Sequence, residues 1–439
     1  MSNRIKDAAE ALRIKHRERE DAVTGILLSV VAGKNTVLIG PETAGKDALA
    51  ADVCAAVYGK NAERYIISAS TQREELLSRI AKDTSAMMLN DVFAANSGTL
   101  NAIADIISDN KMTLFASSAD GPSESDEAFS LYDLFLIRVF VDSLRSDETF
   151  LSSIVDKKNE TALPAIPFAD IEAVRRTADR ITVDDDVLAA ILSLRDLFKN
   201  TGRSVSDLRW KGSVQMMKIA AAAAGEKSVS VSFIPLLQHT LWDWPEDIDE
   251  IKTAVFAVCT PGGLDLNGLH AEADQLLKVS VRSKGAVDES AGFPRIIHCY
   301  DCNSSFPTLR RLKEHSISRP KHTYADPNIA ADSGSHDYVK YSYEGLVTLL
   351  SSKYNWDIFR KSEASEKEML LNEAKALKKK KKELEDSHDK DRDKLTKDLE
   401  KNFWLTDRDK KDIMAMFNLR SARITEIGSL ISDVEYILE

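Results

Sequence analysis

Short apolar runs and helical patterns alternate through the first part of the chain. A helical pattern covers residues 1–32, and short apolar runs follow at 35–40, 64–68, 86–90 and 112–117. Runs of this length, separated by segments with helical spacing, are typical of buried strands. Because strands that alternate with helices over short links form parallel βαβ units, the pattern predicts an α/β core: a parallel sheet with helices on both faces.

The alternation stops near residue 146, and only helical spacing continues to about residue 258. The predicted helices cover residues 146–157, 168–180, 184–199, 205–224, 229–241 and 246–257. Prolines separate several of them. The pattern therefore predicts an all-helical module after the α/β module.

The rest of the chain has a different composition. Residues 285–340 are irregular and contain many Gly, Pro, Ser, Cys and His residues, with a possible strand at Tyr338–Tyr343. The C-terminal part is highly charged and keeps a helical apolar stripe, which resumes after a helix-start signal at Thr406–Asp407. We expect an antiparallel helical hairpin there.

Composition and charge narrow the class of protein. The 439 residues are 43% hydrophobic and 29% charged, with a formal net charge of −11. This acidic balance argues against a surface built as a whole for nucleic acid or anionic membrane. No apolar run is long enough for a membrane span, and the charged N-terminal helix lacks the apolar core of a secretion signal. We expect a cytoplasmic or otherwise intracellular protein.

The first predicted strand–turn–helix carries the spacing of a phosphate-binding loop. Gly40, Gly45 and Lys46 fit GxxxxGK, after a strand and at the start of a helix. Glycines let backbone N–H groups face phosphates, and the lysine reaches the β- and γ-phosphates. The full motif has Ser or Thr after the lysine as a Mg²⁺ ligand, but this chain has Asp47. A carboxylate there can contact Mg²⁺ but also repels phosphate oxygens, so ATP or ADP binding, with or without Mg²⁺, is a weaker prediction than the P-loop fold.

The partner motif of a P-loop is a strand that ends in Asp-Glu. The Asp holds Mg²⁺ and the Glu polarises the attacking water. Here the strand at 86–90 ends in Asn90-Asp91, an amide followed by a shorter acid. The alternative interpretation is that both are ordinary polar residues at a strand end.

Three segments outside the P-loop carry a family resemblance. They are SLYDLFLIR at 130–138, VSDLRWK at 205–211 and LLQHTLW at 236–242. Together with the order of parts, these segments resemble the RavA branch of the MoxR AAA+ ATPases over roughly residues 5–260. The resemblance implies four parts: a P-loop AAA+ core at 1–145, a helical lid at 146–260, a helical stalk or hairpin at 261–285 and 345–439, and an inserted domain at 286–344.

Most catalytic positions that the resemblance implies are altered. Lys46 matches the Walker A lysine, and one sensor 2 arginine survives as Arg209, beside Leu208. The degenerate positions are Asp47, Asn90 and Asp91, with Ala119 at the sensor 1 asparagine and Leu134 at the arginine finger. The candidate nucleotide-binding residues are Gly40, Thr43, Ala44, Gly45, Lys46, Asp47 and Arg209. Because an arginine finger alone can be worth about 10³–10⁵ in rate, we expect weak or absent hydrolysis.

A second motif lies in the inserted part. The candidate metal ligands are Cys299, Cys302, His315 and His322. The CxxC pair, the following twelve residues and the first histidine have C2H2 zinc-finger spacing, and two thiolates with two imidazoles would hold Zn²⁺ tetrahedrally. The six residues between the histidines exceed the usual spacing, so His298 is an alternative fourth ligand. The alternative interpretation of this segment is a loop with two unpaired cysteines and ordinary surface histidines.

These observations leave three functions open. The first is a structural or regulatory subunit of a larger assembly, built on a degenerate AAA+ module. The second is an active MoxR-type ATPase that remodels protein complexes, and the third is nucleic-acid binding through basic residues of the insertion, among them Arg310 and Arg311. Family members form rings and work with partners that carry a von Willebrand A domain, so the expected partners are proteins: further copies of this chain, intact AAA+ subunits in a mixed ring, or a protein with such a domain. Nucleic acid is the less favoured partner.

Overall fold

The computed structural model of the chain describes residues 2–59, 62–80, 84–109, 112–122, 125–155, 163–259, 263–283, 297–306, 309–325, 340–354 and 364–438. They divide into two compact units. The first unit joins Met1–Pro261 with Asp391–Phe417, and the second joins Gly262–Lys390 with Asn418–Glu439.

A five-stranded parallel sheet forms the centre of the first unit. Its strands are β1 (Thr36–Ile39), β2 (Ala62–Ile66), β3 (Ala86–Asn90), β4 (Thr113–Ser118) and β5 (Ile137–Phe140). They lie in the order β2-β3-β4-β1-β5, and every neighbouring pair is parallel. The predicted parallel sheet is confirmed. Because all carboxyl ends lie on one edge, residues that follow β1, β3 and β4 come together there.

Strand β5 is not predicted by the apolar pattern. It contains Arg138, whose charge interrupts a short apolar run. The strand nevertheless lies beside β1, and the Arg138 side chain is fully buried.

In the described part of the core, six α-helices accompany the sheet. They are α1 (Ser2–Lys15), α2 (Glu20–Ala32), α3 (Lys46–Val57), α4 (Arg73–Ser78), α5 (Ser97–Asp109) and α6 (Asp126–Asp133). The prediction of one helix over 1–32 is wrong, because the chain turns between α1 and α2. At the turn Glu18 has a left-handed φ of 61°, and its carboxylate accepts the backbone N–H of Arg145 at 2.7 Å.

The lid that follows is mostly helical. Its helices are α7 (Asp147–Val155), α8 (Phe168–Ala178), α9 (Asp185–Asn200), α10 (Asp207–Ala224) and α11 (Ile248–Ala257). The predicted α-helix at 229–241 is a 3-10 segment, Val231–His239, with Pro235 inside it. Proline has no N–H to donate to an α-helix. Two short strands, β6 (Thr182–Val183) and β7 (Ser228–Val229), pair in parallel and correct the expectation of helices alone.

The second unit combines long helices with a small ββα part. Its elements are α12 (Gly263–Ser283), β8 (Ile297–Cys299), β9 (Ser305–Phe306), α13 (Leu309–Ser318), β10 (Tyr324–Ala325), α14 (Tyr343–Tyr354), α15 (Ala364–Lys401) and α16 (Asp407–Leu438). Segments 391–401 and 407–417 of the last two helices belong to the first unit.

The C-terminal helices form the predicted antiparallel hairpin. Lys378 Nζ lies 2.9 Å from Glu435 Oε1, and His388 Nε2 lies 2.7 Å from Ser421 Oγ. The strand suggested at Tyr338–Tyr343 is not found in its described part: Tyr341 makes one isolated bridge, and a helix begins at Tyr343. Among the described residues, no helix combines the length and apolar character that crossing a membrane requires.

Candidate functional site

The predicted phosphate-binding loop connects β1 to α3. Gly40 has a φ of +149°, and a Cβ atom there would lie 2.0 Å from the backbone oxygen of Val141. Gly45 has a φ of +76° directly before α3. Both positions therefore require glycine, one for close backbone approach and both for a backbone conformation that other residues rarely adopt. Between them, Thr43 is exposed and Ala44 is buried.

Lys46 begins α3 and is turned into the loop. Its side chain is buried, and Nζ donates to the backbone oxygens of Gly40 at 2.9 Å and Pro41 at 3.2 Å. Lys46 thus lies at the position expected for the P-loop lysine. In this structure its ammonium group is hydrogen-bonded to carbonyl groups of the loop. A phosphate held by the loop would replace these two acceptors with charged oxygens.

Asp47 and Asn90, the two positions expected to serve Mg²⁺, are joined by an arginine. Arg64 lies on β2, next to β3. Its Nε donates to Asn90 Oδ1 at 3.1 Å, and its Nη2 lies 3.3 Å from Asp47 Oδ2. We call Asp47, Arg64 and Asn90 the Arg64 bridge. Arg64 was not predicted from the sequence, because no motif marks the strand beside β3 as a source of a cation.

Two further degenerate positions lie on or near the same edge, whereas Leu134 precedes β5 and lies at its amino end. Asp91 follows β3 with a left-handed φ of 58°, and Ala119 follows β4. The backbone N–H of Gly40 donates to Ser118 at 3.2 Å, which brings the end of β4 beside the loop. Leu134 is partly buried and packs against the core of the first unit, so this position is a packing residue.

Arg209 does not contact the phosphate-binding loop in this structure. It joins Asp133, Arg138 and Asp243 in a group that we call the core–lid network. Arg209 Nη1 donates to Asp243 Oδ1 at 2.8 Å, and Nη2 bonds Asp133. Arg138 Nη1 donates to Asp243 Oδ1 at 2.6 Å. Since Asp133 and Arg138 belong to α6 and β5, and Arg209 belongs to the lid, the network ties these two parts of the unit together.

Aromatic rings cover this network. The Arg138 guanidinium lies 4.0 Å from the centroid of the Tyr132 ring, and Tyr132 donates its hydroxyl to the backbone oxygen of Asp243 at 2.7 Å. Burial alone would raise the pKa of Asp243, but its bonds to Arg209 and Arg138 hold that pKa below its ordinary value. Burial also raises the pKa of Tyr132 to about 12, so its hydroxyl stays protonated.

A second contact between the lid and the sheet region uses the hairpin. Residues 402–406, the tip loop, connect α15 to α16 within the first unit. Arg13 donates to the backbone oxygens of Phe403 at 3.0 Å and Trp404 at 2.9 Å. Trp404 is fully buried and donates its indole N–H to Ala220 in the lid at 3.0 Å. The tip loop therefore contacts both α1 and the lid.

A cavity of about 1350 Å³ lies beside the tip loop in the same unit. Among its lining residues are Arg19, His239, Lys252 and Thr406. Lys252 pairs with Asp409 at 2.7 Å. Burial lowers the pKa of His239 to about 4, so its imidazole is neutral near pH 7. None of the phosphate-loop residues 40–47 lines this cavity, but two of its lining residues, Arg19 and Val141, lie against Gly45 and Gly40. The cavity therefore adjoins the phosphate-binding loop.

The four predicted metal ligands come together in the second unit. The ligand atoms of Cys299, Cys302, His315 and His322 all lie within 4.8 Å of one another. Cys299 Sγ is 3.3 Å from His322 Nδ1, and Cys302 Sγ is 3.3 Å from His315 Nε2. Zinc bonds of about 2.3 Å to sulfur and 2.0–2.1 Å to nitrogen place such ligands about 3.5 Å apart. The donor set and its spacing therefore fit Zn²⁺.

The surroundings of this Cys2His2 cluster orient its ligands. Tyr324 Oη lies 2.8 Å from His315 Nδ1, which fixes the ring with Nε2 facing the cluster. The hydrogen bond with Ser304 at 3.1 Å is the main cause that lowers the pKa of Cys302 to about 6. The alternative ligand His298 lies outside the cluster, with Nδ1 2.7 Å from Ser305 Oγ.

The basic residues of the insertion are only partly described. The side chain of Arg310 lies outside the described residues. Arg311 Nε is 2.9 Å from Asp433 Oδ2, and that carboxylate is buried. Arg311 thus faces α16 rather than solvent, which weakens the nucleic-acid interpretation of this residue.

Comparison with known proteins identifies the lid. A family model described as the AAA lid domain matches residues 186–255. Two uncharacterized proteins of Methanocaldococcus jannaschii are similar: one is 26% identical and covers 58% of this chain and 75% of its own length. The other is 23% identical, over 58% of this chain and 74% of its own length. A crystal structure of a candidate ATPase from Cytophaga hutchinsonii has a TM-score of 0.43 at 11% identity, over 57% of this chain and 85% of its own.

The first unit thus has the architecture of an AAA+ ATPase-family protein. The features that define it are the five-stranded parallel sheet with flanking helices, the P-loop connection and the AAA lid. The C-terminal helices match the helical stalk expected to follow such a core and lid.

Proposed function

We propose that this chain is a catalytically degenerate AAA+ protein of the MoxR type, near the RavA branch, that serves as a structural or regulatory subunit of a larger assembly. The observation that carries this proposal is the position of Arg209. The one arginine retained at sensor 2 is bonded to Asp133 and Asp243. An arginine used in this way holds the lid in place instead of sensing a γ-phosphate.

The edge of the sheet supports the same proposal. Efficient hydrolysis needs a Mg²⁺ ligand pair, a water-orienting acid, a sensor and an arginine finger. At these positions the chain has the Arg64 bridge, a shorter acid at Asp91, Ala119 and the packing residue Leu134. Losses in groups that act as a unit do not add simply, but none of these positions keeps the group that its role in hydrolysis requires.

The loop itself still fits a phosphate group, so we infer that ATP or ADP binds without efficient turnover. Gly40 and Gly45 have backbone conformations that require glycine, and Lys46 begins the helix that follows, which are features that such a loop uses to hold phosphate. In this proposal the nucleotide is a structural ligand or a signal of the state of the assembly.

A single-turnover assay tests the proposal. Trace labelled ATP is mixed with excess full-length protein and Mg²⁺, and bound and free nucleotide are separated and identified. We expect bound ATP to remain ATP for at least an hour. Conversion to ADP within minutes, abolished by Lys46→Ala, would establish the alternative: an active remodelling ATPase.

We further propose that the Cys2His2 cluster binds one structural zinc ion. A segment of this size buries too little apolar surface to fold alone, and a metal supplies the missing stability. Metal analysis of the purified chain should give about one zinc per molecule. Cys302→Ser should lose it, and a content below about 0.2 in the unsubstituted protein would exclude the site.

The partners we propose are proteins. AAA+ proteins commonly oligomerise, and by its resemblance to the MoxR family this chain would enter a ring of its own copies, a mixed ring with intact AAA+ subunits, or a complex with a von Willebrand A domain protein. The zinc-finger-like part then serves as a docking module. Sizing and pull-down experiments with the full chain, with and without ADP, would identify which assembly forms.

A further inference from the structure

The Arg64 bridge occupies the place where a P-loop protein keeps its magnesium ion. In the full motif, the residue after the lysine binds Mg²⁺, and the acid at the end of a second strand, here β3, holds it as well. These positions are Asp47 and Asn90 here. The guanidinium of Arg64 lies between them, 3.3 Å from Asp47 Oδ2 and 3.1 Å from Asn90 Oδ1.

These residues do not fit Mg²⁺. The ion requires near-octahedral oxygen ligands at about 2.0–2.1 Å and gives up its water reluctantly. One side-chain oxygen of each residue, Asp47 Oδ2 and Asn90 Oδ1, already accepts a hydrogen bond from the Arg64 guanidinium. A divalent ion between Asp47 and Asn90 would have to displace Arg64 or stand against its positive charge.

The same residues fit a phosphate group. A guanidinium binds phosphate oxygens bidentately and keeps its charge at any physiological pH. It has five N–H donors, of which the contacts to Asn90 and Asp47 use two. The Arg64 side chain is 53% exposed, so other donors can reach a ligand from the solvent side of the loop. Its charge also offsets that of Asp47, which would otherwise repel the ligand.

We propose that Arg64 takes the place of Mg²⁺, so that the loop binds the diphosphate of a nucleotide without a divalent cation. This inference rests on the proposed nucleotide binding and deepens it. In the bound state, Lys46 contacts the phosphates from within the loop, and Arg64 contacts them from the side of β2 and β3.

The test is a fluorescence titration of the full chain with mant-ADP, in Mg²⁺ and in EDTA. We expect the two affinities of the unsubstituted protein to agree within about twofold. Arg64→Met keeps the apolar stem and removes the charge, so affinity in EDTA should fall about tenfold or more, the usual scale for a charge-assisted contact. Arg73→Met removes a similarly exposed arginine that pairs with Asp105 at 3.1 Å, and it should leave affinity unchanged. Melting curves establish that both variants fold.

The outcomes separate the two proposals. Binding that requires Mg²⁺, or an Arg64→Met variant that binds as tightly in EDTA as the unsubstituted protein, overturns the role of Arg64 and leaves nucleotide binding intact. No binding in either buffer overturns both. A loss in Arg64→Met matched by an equal loss in Arg73→Met also overturns the inference, because the effect would then be one of general surface charge.

Discussion

Replacing Arg209 by methionine removes the lid's positive charge from the core–lid network while keeping most of the apolar stem. Arg209 is 7% exposed and bonds Asp243 at 2.8 Å as well as Asp133. The substitution breaks both bonds. It leaves Asp243 with Arg138 and leaves Asp133 with a weaker contact to Arg138 at 3.6 Å.

The magnitude follows from the exposure of the partners. A hydrogen bond to a charged group contributes about 1.5–3 kcal/mol. Losing two such bonds would therefore lower the free energy of unfolding by at most twice that amount. The side chains of Asp133 and Asp243 are 52% and 39% exposed, however, and water screens the interaction. We therefore expect a loss of about 2–3 kcal/mol in the free energy of unfolding, which for a unit of this size lowers Tm by about 5 °C or more.

The loss should depend on pH in a defined direction. The network lowers the pKa of Asp243 in the folded state. A carboxyl whose folded pKa is depressed adds stability above its unfolded pKa, about 3.9, and that stability is lost as pH falls through the folded pKa. The Tm difference between the two proteins should stay constant from pH 8 to about 5 and shrink below about pH 4.

Differential scanning calorimetry and hydrogen exchange measure the effect, with Arg203→Met as the matched control. Arg203 also bonds two acids, Asp247 at 2.8 Å and Glu250 at 3.2 Å, but all three lie within the lid. Only Arg209→Met should raise exchange in α6, which carries Asp133. Equal exchange in α6 for both variants, or an unchanged Tm for Arg209→Met, would show that the network does not join lid and core.

Four other changes have expected outcomes. Trp404→Ala should cost about 3–5 kcal/mol by calorimetry because it empties a fully buried site, with Trp404→Phe costing less. Gly40→Ala should abolish mant-ADP binding, since its Cβ would meet backbone at 2.0 Å, whereas Gly202→Ala, an open position, should not. Because buried His239 has a pKa of about 4 and the unfolded form takes up a proton near pH 6.5, stability should fall as pH drops from 6.5 towards 4; His239→Gln should flatten this slope in pH-dependent melting. Zinc removal by a chelator should melt residues 297–325 in hydrogen exchange and leave α10 protected; protection of both segments would count against a structural metal.

The apolar pattern of the sequence predicted most of the sheet for a simple physical reason. Strands such as β1 and β3 are buried on both faces, so they appear as continuous apolar runs. Strand β5 was not predicted because it contains a charged residue, Arg138. In the fold this charge is compensated by Asp243 and Tyr132, whose positions the local sequence does not reveal. The candidate zinc ligands lie close together in the sequence. Their spacing was therefore enough to predict a metal site that includes Cys299 and His322.

Arg64 shows what local patterns leave out. Asp47 and Asn90 each depart from their motif, and in the sequence the two departures look like separate losses. In the fold the two residues face the same guanidinium, which arrives from a third strand. The changes at Asp47 and Asn90 therefore share one physical explanation, the contact with Arg64. That contact exists because β2 lies beside β3 in the sheet. No single segment of the sequence contains that information.

Two independent contacts now hold the lid in one position within the first unit. The core–lid network joins α6 and β5 to α10, and the tip loop joins α1 to the end of α10 through Arg13 and Trp404. A lid that rotated during a nucleotide cycle would have to break the ion pairs of two buried arginines at one place and expose a buried indole at the other. Each of these costs several times the thermal energy. A fixed lid suits a subunit whose nucleotide stabilises one shape, and this ties the proposed structural role to Arg209, the sensor 2 arginine that the chain retains.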